Sequence, residues 1–514
     1  METMRSSVLC RALAPLWFLL TDCYDKSLLA KLIRGIARGL KNWCAGSALV
    51  GFVTREGSLT RAWKESLLCR VLLFLVNIPT RVLQGLYRKL QGVFEGSVVT
   101  DLALSAAEQV SFLVGWVMLA VMVIPYDYWS NGYSFAAMLL CAFLAVFAGM
   151  RRQDWRLDVK SLGPWLVAFF GMIFVAWVLS AYRSQSGRYI PYYLTCILCV
   201  LILVSTIERR EQLERLLGQC SLALLVLGGA GIVQRILGVE VNMSYVDATL
   251  NVGMPGRVYG FYDNPNAFAE VLLLLIPMAV AYLLCARGWL GRFLGFFAAA
   301  AGMASIAMTY SRASWIGLAL AAAVFVLLWN RKLIPVGIVV ALLGLAFLPD
   351  TVFHRIMTIF NPADTTTNSR FPLYQAAGEF LKLHPVTGAG LGTDAVRSAI
   401  KDLNLFHGKD LFVHCHNIYL QVWCETGIIG LLAFVGGILW SVKEGARAVI
   451  KGVCSQPVRM AVIGGAAAMM GAMLCSMADY LWNYPRVMLI FWFVAGILLA
   501  ATRLAGRESR EETA

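Results

Sequence analysis

The chain has 514 residues, of which 59% are hydrophobic and only 14% are charged. Soluble globular proteins carry about 25% charged residues, so this composition excludes a water-soluble fold. The net charge of +14 does not indicate a nucleic-acid partner. The Lys and Arg residues lie in the first hundred residues and in short segments between apolar runs, which is typical of membrane topology.

The first hundred residues form a basic extension, with fourteen Lys or Arg against six Asp or Glu. Its apolar patches, among them Ala12–Leu20 and Leu67–Val76, are shorter than the roughly 20 residues that a spanning helix requires. Cationic, partly apolar segments of this kind are typical of helices that lie on an anionic leaflet. Residues 1–100 are therefore predicted to be a cytoplasmic, membrane-associated extension, and an additional pair of spans is the alternative.

Residues 101–514 are predicted to form a polytopic membrane domain, because apolar runs of spanning length recur through them. The twelve predicted spans are approximately 105–125, 134–150, 162–181, 189–207, 217–236, 266–285, 291–309, 313–330, 333–349, 417–441, 459–478 and 487–503. Basic residues such as Arg151, Arg209, Arg287 and Arg331 fall in alternate loops, and the positive-inside rule makes that side cytoplasmic. The predicted fold class is thus an all-α integral membrane protein with both termini cytoplasmic.

The longest loop covers residues 350–415, between predicted spans 9 and 10, and is predicted to be extracytoplasmic. A bilayer protein tolerates ionisable groups near its spans only where they are solvated, paired or in use, so those at the outer span ends are informative. The first such group, residues 256–266, contains Arg257 and a turn-forming Asn-Pro-Asn that ends at Asn266 and can cap the next span.

The second group is the short connection Tyr310–Trp315, which places Arg312 at the outer mouth between spans 7 and 8. A single outer arginine commonly reaches lipid headgroups. Two of them, Arg257 and Arg312, favour a different interpretation, because a pair of guanidinium forks matches the oxygens of a diphosphate.

The third group begins with His416 and Asn417, where the long loop enters span 10. A neutral imidazole is suited to act as a general base near neutral pH, although a lone histidine is more often structural. Gly427 and Gly430 follow and permit close helix approach. Glu425, well inside the span, is predicted to be a paired interior carboxylate.

His414, Cys415 and His416 have the residue types of a metal site, but alternate residues without a second cluster predict no metal. The glycines at 388, 390 and 392 match no phosphate-binding fingerprint and predict a tight turn in the outer loop.

Taken together, these residues resemble the O-antigen ligase and polymerase family, which includes lipopolysaccharide O-antigen ligases, capsule and O-antigen polymerases, and bacterial protein O-oligosaccharyltransferases. The family's histidine motif is His, then Asn, Ser or Gln, nine arbitrary residues, Gly, two more residues, and Gly, Thr or Tyr. The residues that match this motif without a gap are His416, Asn417, Gly427 and Gly430. Arg257–Asn266 is similar to the family's Arg-then-Asn-Pro-Asn element, and Ser311-Arg312 and Ser369-Arg370 are similar to its Ser-Arg elements. The resemblance covers about residues 220–500.

The resemblance implies a GT-C-like membrane fold and an inverting, metal-independent glycosyl transfer without a cofactor. Arg257 and Arg312 would hold the diphosphate of an undecaprenyl-linked glycan, and His416 would orient or deprotonate the acceptor hydroxyl. Arg370 would add a phosphate or sugar contact. The residues expected to support the substrate or these groups are Asn266, Asn417 and Asp479. The implied partners are the undecaprenyl-diphosphate-linked donor, a glycan, glycolipid or other hydroxyl acceptor, and the lipids of the bacterial inner membrane.

The main alternative is a multi-span transporter or lipid-linked glycan flippase. Such proteins commonly consist of two similar halves with a midplane binding site. Here the halves are dissimilar, and the unusual charges lie at the outer surface. The ten-helix peptidoglycan polymerases are a second alternative, although they are not expected to carry the histidine motif. Ligase and polymerase activity remain open, with a slight preference for a polymerase because nothing in the chain demands lipid A.

Overall fold

The computed structural model describes residues 22, 26, 27, 31 and 35, and residues 47–512 except 95–96, 241–254, 347–349, 358–368 and 409–410. The chain divides into two compact units, Met1–Arg55 and Glu56–Ala514. The first unit contains helix α1 (Ala48–Thr54). The predicted apolar patch Ala12–Leu20 lies outside the described residues.

Wherever the second unit is described it is helical or irregular, without strands. Its helices are α2 (Ser58–Glu65), α3 (Leu67–Val76), α4 (Ile78–Lys89), α5 (Gln91–Phe94), α6 (Val98–Ala107), α7 (Val110–Val123), α8 (Asn131–Ala148), α9 (Gly163–Leu179), α10 (Arg183–Gly187), α11 (Ile190–Thr206), α12 (Arg210–Leu237), α13 (Pro265–Cys285), α14 (Trp289–Met308), α15 (Arg312–Asn330), α16 (Ile334–Ala346), α17 (Asp350–Met357), α18 (Phe371–Leu383), α19 (Gly392–Asp402), α20 (Ile418–Lys451), α21 (Gln456–Cys475) and α22 (Pro485–Glu511).

The predicted all-α integral membrane fold is confirmed. In the described chain, 10 helical segments are long and apolar enough to cross a membrane, or up to 12 if each of two bent pairs is one span. One bent pair joins α6 to α7 and corresponds to the first predicted span. The other joins α3 to α4 and lies within the predicted N-terminal extension.

Predicted spans 8 and 9 both fall in one apolar stretch, Arg312–Gly344, that contains α15 and α16. Arg355 of α17 donates from Nε to Tyr310 O at 3.4 Å, and Tyr310 precedes α15. Helix α15 extends about 27 Å away from Tyr310. The chain therefore returns to Tyr310 only because α16 runs back along the bundle. The stretch is therefore two antiparallel runs, and the segment after α16 begins beside the start of α15.

The centre of the bundle is formed by α13, α21 and α22, whose residues are almost all buried. Aromatic rings join them to their neighbours: Phe169 of α9 stacks on Trp492 of α22 at 5.9 Å between ring centroids, and Phe434 of α20 lies 4.8 Å from Trp482. Rings in such edge and offset contacts pack tightly in an apolar interior. This core holds the segment between α21 and α22, where Asp479 lies.

Helix α20 is broken at Gly427, which has a φ of +72°. The glycine-rich segment (residues 385–392) fills the break. Ala389 N donates to Cys424 O at 2.7 Å, Gly390 N donates to Glu425 O at 3.1 Å, and Ile428 N donates to Pro385 O at 2.9 Å. Backbone groups left open by a helix break need such partners.

The interpretation of Gly427 as a helix-packing glycine was therefore wrong. A side chain at this position would collide with Val386 O, and its backbone conformation favours glycine. The position attaches the long loop to α20 eleven residues beyond His416. The glycine-rich segment likewise does more than turn the chain, since it supplies the partners of the broken helix.

Candidate functional site

The start of α20 and the end of α21 are fixed to each other at one end of the bundle, which we call the site end. Ile418 N donates to Ser476 O at 3.0 Å, and the Asn417 side chain donates to Met477 O at 2.9 Å. The same Asn417 side chain caps α20 by accepting from Tyr419 N and Leu420 N. Asn417 is thus placed as a cap and a link between helices.

His416 faces Asp479 across this junction. Its Nδ1 lies 3.4 Å from Asp479 Oδ1, close enough for an ion pair, but its N–H is not aligned and Nδ1 has no hydrogen-bond partner. The backbone of His416 has a φ of +44°, an uncommon conformation for a residue other than glycine. Its side chain is 35% exposed, whereas that of Asp479 is 11% exposed. The imidazole is therefore reachable, and the carboxylate lies behind it.

The electrostatics separate the two histidines of this segment. Burial and the neighbouring charge of His416 lower the pKa of His414 to about 3, so His414 is neutral at pH 7. His414 Nδ1 accepts a hydrogen bond from His416 N at 3.1 Å, and the two rings lie 4.0 Å apart. His414 thus positions His416 as a neutral acceptor.

Burial alone would raise the pKa of Asp479, but the close approach and charge of the His416 ring, together with the charge of Arg370, lower it below its usual range. Asp479 is therefore a carboxylate throughout the physiological pH range. Arg370 immediately precedes α18, in which Tyr374 reaches the His416 carbonyl at 3.5 Å. Among the described residues, no three His, Cys, Asp or Glu side chains are arranged to hold a metal ion.

Arg257 is buried and held beside the start of α13. Its Nε donates to Thr309 O at 2.6 Å, and its Nη2 donates to Asn266 Oδ1. Asn266 is fixed in turn by its backbone N–H, which donates to Asn264 Oδ1 at 2.7 Å. The first two groups of polar residues that the sequence indicated therefore lie together: Arg257 to Asn266 contacts the end of α14, next to the connection that contains Arg312.

The second group also contacts the end of α21, which is bonded in turn to the first residue of α20. Ser311 N donates to Thr309 Oγ1 at 3.3 Å, and Ser314 Oγ lies 3.6 Å from Cys475 Sγ at the end of α21. Arg312, the first residue of α15, lies between these contacts. A continuous series of contacts thus runs from Arg257 through the start of α15 to the end of α21, next to Asp479 and His416.

Glu270 was missed from the sequence. It is buried one turn beyond Asn266 on α13 and interacts electrostatically with Asp479 and Cys475. No hydrogen bond or ion pair reaches its carboxylate within the part of the chain that the structure describes. The signal was present, because an acidic residue inside a span and four residues after a candidate site residue shares its helix face.

Glu425 is paired, as its interior position predicted. It accepts from Tyr193 OH at 3.1 Å, from Tyr480 OH at 3.0 Å and from Gln421 Nε2 at 2.9 Å. These bonds join α11, the segment after α21 and the two turns of α20 that follow His416. Glu425 therefore stabilises the junction and does not face the site.

The fold and the site define an all-helical integral membrane protein with arginine, histidine and carboxylate side chains at one end of its bundle. A family model described as O-antigen ligase matches residues 296–435. This match supports the predicted resemblance to the O-antigen ligase and polymerase family. This family implies a membrane glycan ligase or polymerase that acts on lipid-linked glycan and an acceptor, and it suggests the bacterial inner membrane.

The matched residues contain Arg312, Arg370 and His416, whereas Arg257 and Asp479 lie outside them. The chain is also 23% identical over 350 residues to an uncharacterized protein of Haemophilus influenzae, with 63% of this chain and 82% of that protein covered. The similarity to that protein extends beyond the matched domain but carries no activity with it.

Proposed function

We propose that the chain is an inverting glycosyltransferase that transfers or polymerises an undecaprenyl-diphosphate-linked glycan on the outer face of the bacterial cytoplasmic membrane. Both termini would then be cytoplasmic, and the site end would face out. The match to the O-antigen ligase family model supports the reaction class. The grouping of the candidate residues at one end of the bundle supports the reaction's location.

The observation that carries the proposal is the contact series from Arg257 to His416. A lipid-linked sugar has its diphosphate directly bonded to the reacting anomeric carbon, so its anion-binding and base groups must lie close together. The contacts at Thr309 to Ser311 and at Ser314 to Cys475 support such a grouping.

His416 is proposed as the general base. Because Nδ1 faces Asp479, the proton of the neutral ring is expected on Nδ1, which leaves Nε2 as the basic nitrogen. The acceptor hydroxyl gives its proton to Nε2 while its oxygen attacks the anomeric carbon. Asp479 then stabilises the imidazolium that forms.

Arg257, Arg312 and Arg370 are proposed to stabilise the leaving diphosphate. As the acceptor oxygen bonds to the anomeric carbon, the bond from that carbon to the phosphate oxygen breaks and its electron pair leaves with the diphosphate. Attack from the opposite face inverts the anomeric carbon. Fixed guanidinium groups in a low-dielectric site stabilise such charge more than water does. Arg257 meets this description, because it is buried and donates to Thr309 O and Asn266 Oδ1.

Transfer itself is tested in proteoliposomes that contain the purified full chain, a radiolabelled undecaprenyl-diphosphate glycan and EDTA. We expect a new glycosidic bond and released undecaprenyl diphosphate, with the anomeric configuration inverted. Movement of intact donor across the bilayer without bond formation would instead establish the flippase alternative and refute the proposal.

Ligase and polymerase are separated by the glycans of a deletion strain. Loss of long chains with single repeats retained indicates a polymerase. Accumulation of full-length chains on the lipid carrier indicates a ligase. An unchanged glycan profile, with the chain normally expressed in the parent strain, would contradict both.

A further inference from the structure

Helices α3 and α4 form a bent pair (Leu67–Lys89), with a bend of 53°. Its uncharged polar residues face the protein, and most of its large apolar residues face away. We propose that this bent pair lies flat in the membrane leaflet opposite the site end, with its outward side chains among acyl chains and its arginines on anionic phospholipid headgroups. The proposal concerns a surface that the transfer reaction does not use, so it is independent of the proposed function.

The bent pair is attached to the loop between α8 and α9 by hydrogen bonds along its length. At the bend, the Asn77 side chain donates to Leu157 O at 3.1 Å and accepts from Leu157 N at 2.7 Å. In α4, Gln84 Nε2 donates to three carbonyls of the loop: Gly149 at 3.0 Å, Arg152 at 2.7 Å and Trp155 at 3.2 Å. Just before the pair, Trp63 Nε1 donates to Lys160 O at 3.1 Å.

These attachments determine the orientation of the pair. The loop connects the end of α8 to the start of α9, two adjacent membrane spans, so both of its ends lie at the same membrane surface. The start of α9 is opposite the site end, since Ser180 at the other end of α9 donates to Ala389 O of the glycine-rich segment at 2.6 Å. A span would separate the ends of the pair by about 30 Å along the membrane normal. Attachment of Trp63, Asn77 and Gln84 to one loop indicates instead that the pair runs along the surface.

The outward side of the bent pair is apolar. The side chains that share this exposure are Leu67, Leu68, Val71, Phe74, Leu75, Ile78, Val82 and Leu86. Its inward side contains the buried polar residues Asn77, Thr80 and Gln84. A helix in water has the reverse arrangement, so the outward side requires an apolar covering.

Two observations identify that covering as lipid. Helix α4 packs beside α8, whose Leu140 and Phe143 are exposed on the surface of a span, so the two apolar surfaces adjoin. In addition, residues 67–89 contain four basic and no acidic residues. The guanidinium of Arg81 lies 4.7 Å from the Phe74 ring, where its stem follows apolar surface while its charge can reach a headgroup. An apolar face with a cationic border is typical of helices bound to an anionic leaflet.

The test uses the full chain with Val82→Cys, labelled with bimane and reconstituted at one copy per nanodisc. Glu65→Cys, at an exposed polar position just before the pair, is the matched control, and the parent chain gives the background. We expect brominated phosphatidylglycerol to quench the probe at position 82 at least twofold more than the probe at 65, and aqueous iodide to do the reverse. Equal iodide access at both positions would overturn the membrane assignment.

Apart from the scaffold protein at its rim, the single-copy nanodisc contains no other protein, so protection of position 82 does not come from a second copy or another partner. Brominated phosphatidylcholine at the same mole fraction tests the headgroup preference. We expect it to quench position 82 less than the anionic lipid does, and the difference to disappear in Arg81→Gln/Arg88→Gln. Equal quenching by both lipids in the unsubstituted pair would overturn the anionic preference. Far-ultraviolet circular dichroism of each variant verifies that the chain is folded.

Discussion

Asn77 and Gln84 lie at the opposite end of the bundle from His416 and Glu270, and the two pairs differ in their hydrogen bonding. At the end opposite the site, Asn77 and Gln84 bond to backbone groups of one loop, so each polar atom compensates another. At the site end, His416 Nδ1 faces a carboxylate without an aligned hydrogen bond, and Glu270 has no bond within the described chain. Satisfied polar groups stabilise a fold, whereas groups left unsatisfied lower stability and are retained where a ligand completes them.

The largest expected effect is that of His416→Ala. A general base contributes about 10²- to 10⁴-fold to a rate, so glycan transfer should fall by at least about 100-fold while membrane insertion and expression remain unchanged. Transfer is measured in proteoliposomes with labelled donor. His384→Ala, an exposed histidine at the end of α18, is the matched control and should keep parental activity. Unchanged transfer by His416→Ala would remove the catalytic assignment.

Asp479→Asn should reduce transfer by about 10- to 100-fold, because the amide keeps the shape but does not stabilise an imidazolium. In the parent chain, the pKa of the Asp479 carboxyl is lowered on folding from its ordinary value of 3.8. The ionised carboxylate therefore adds stability that is fully present above pH 3.8 and is lost as the pH falls through the lower pKa of the folded protein. The variant should accordingly melt below the parent at pH 7, and this difference should shrink near pH 3. A constant difference at both pH values would contradict the ion pair with His416.

Glu270→Gln should reduce transfer by about 10-fold if the carboxylate contacts the acceptor or a proton in the site. The substitution preserves shape and removes charge from a buried position without a hydrogen-bond partner, so thermal stability should stay the same or rise. Glu270→Asp is expected to recover part of the activity. Parental transfer by the glutamine variant would show that Glu270 is only an interior group near Asp479.

Gly427→Ala should destabilise the fold and reduce transfer several-fold. The backbone conformation at this position costs an alanine about 1–2 kcal/mol, and its side chain collides with Val386 O. The glycine-rich segment should then leave the break in α20, which faster proteolysis of the loop after α18 would reveal. Gly171→Ala in α9 is the control, because an added side chain there has open space. Equal protease resistance of both variants would contradict the role given to the break.

The sequence predicted most of the membrane fold because a span is long and its apolar character is unmistakable. The sequence indicated the three groups of polar residues at the site end through the short connection at Arg312, the arginine element at Arg257 and the histidine motif at His416. Gly427 was misread because helix packing and a helix break both require glycine. Glu270 was missed because a single acidic residue interrupts an otherwise apolar run, and only the fold places it beside Asp479. The inward polar face of α3 and α4 depends on a loop about 70 residues away, which no local pattern shows.

The smallest expected effect on transfer is that of Asn77→Ala, which tests the other end of the comparison. Removing this side chain leaves the N–H and the C=O of Leu157 without their partner, at a cost of about 1–3 kcal/mol for an unsatisfied buried group. The melting temperature should therefore fall, and hydrogen exchange at Leu157 should become faster. Transfer per folded molecule should stay within about twofold of the parent, since transfer depends on groups at the opposite end of the spans. Gln153→Ala, an exposed position in the same loop, should change neither property. A large loss of transfer in folded Asn77→Ala would show that the two ends are coupled, and the division into a stabilising end and a reactive end would then be wrong.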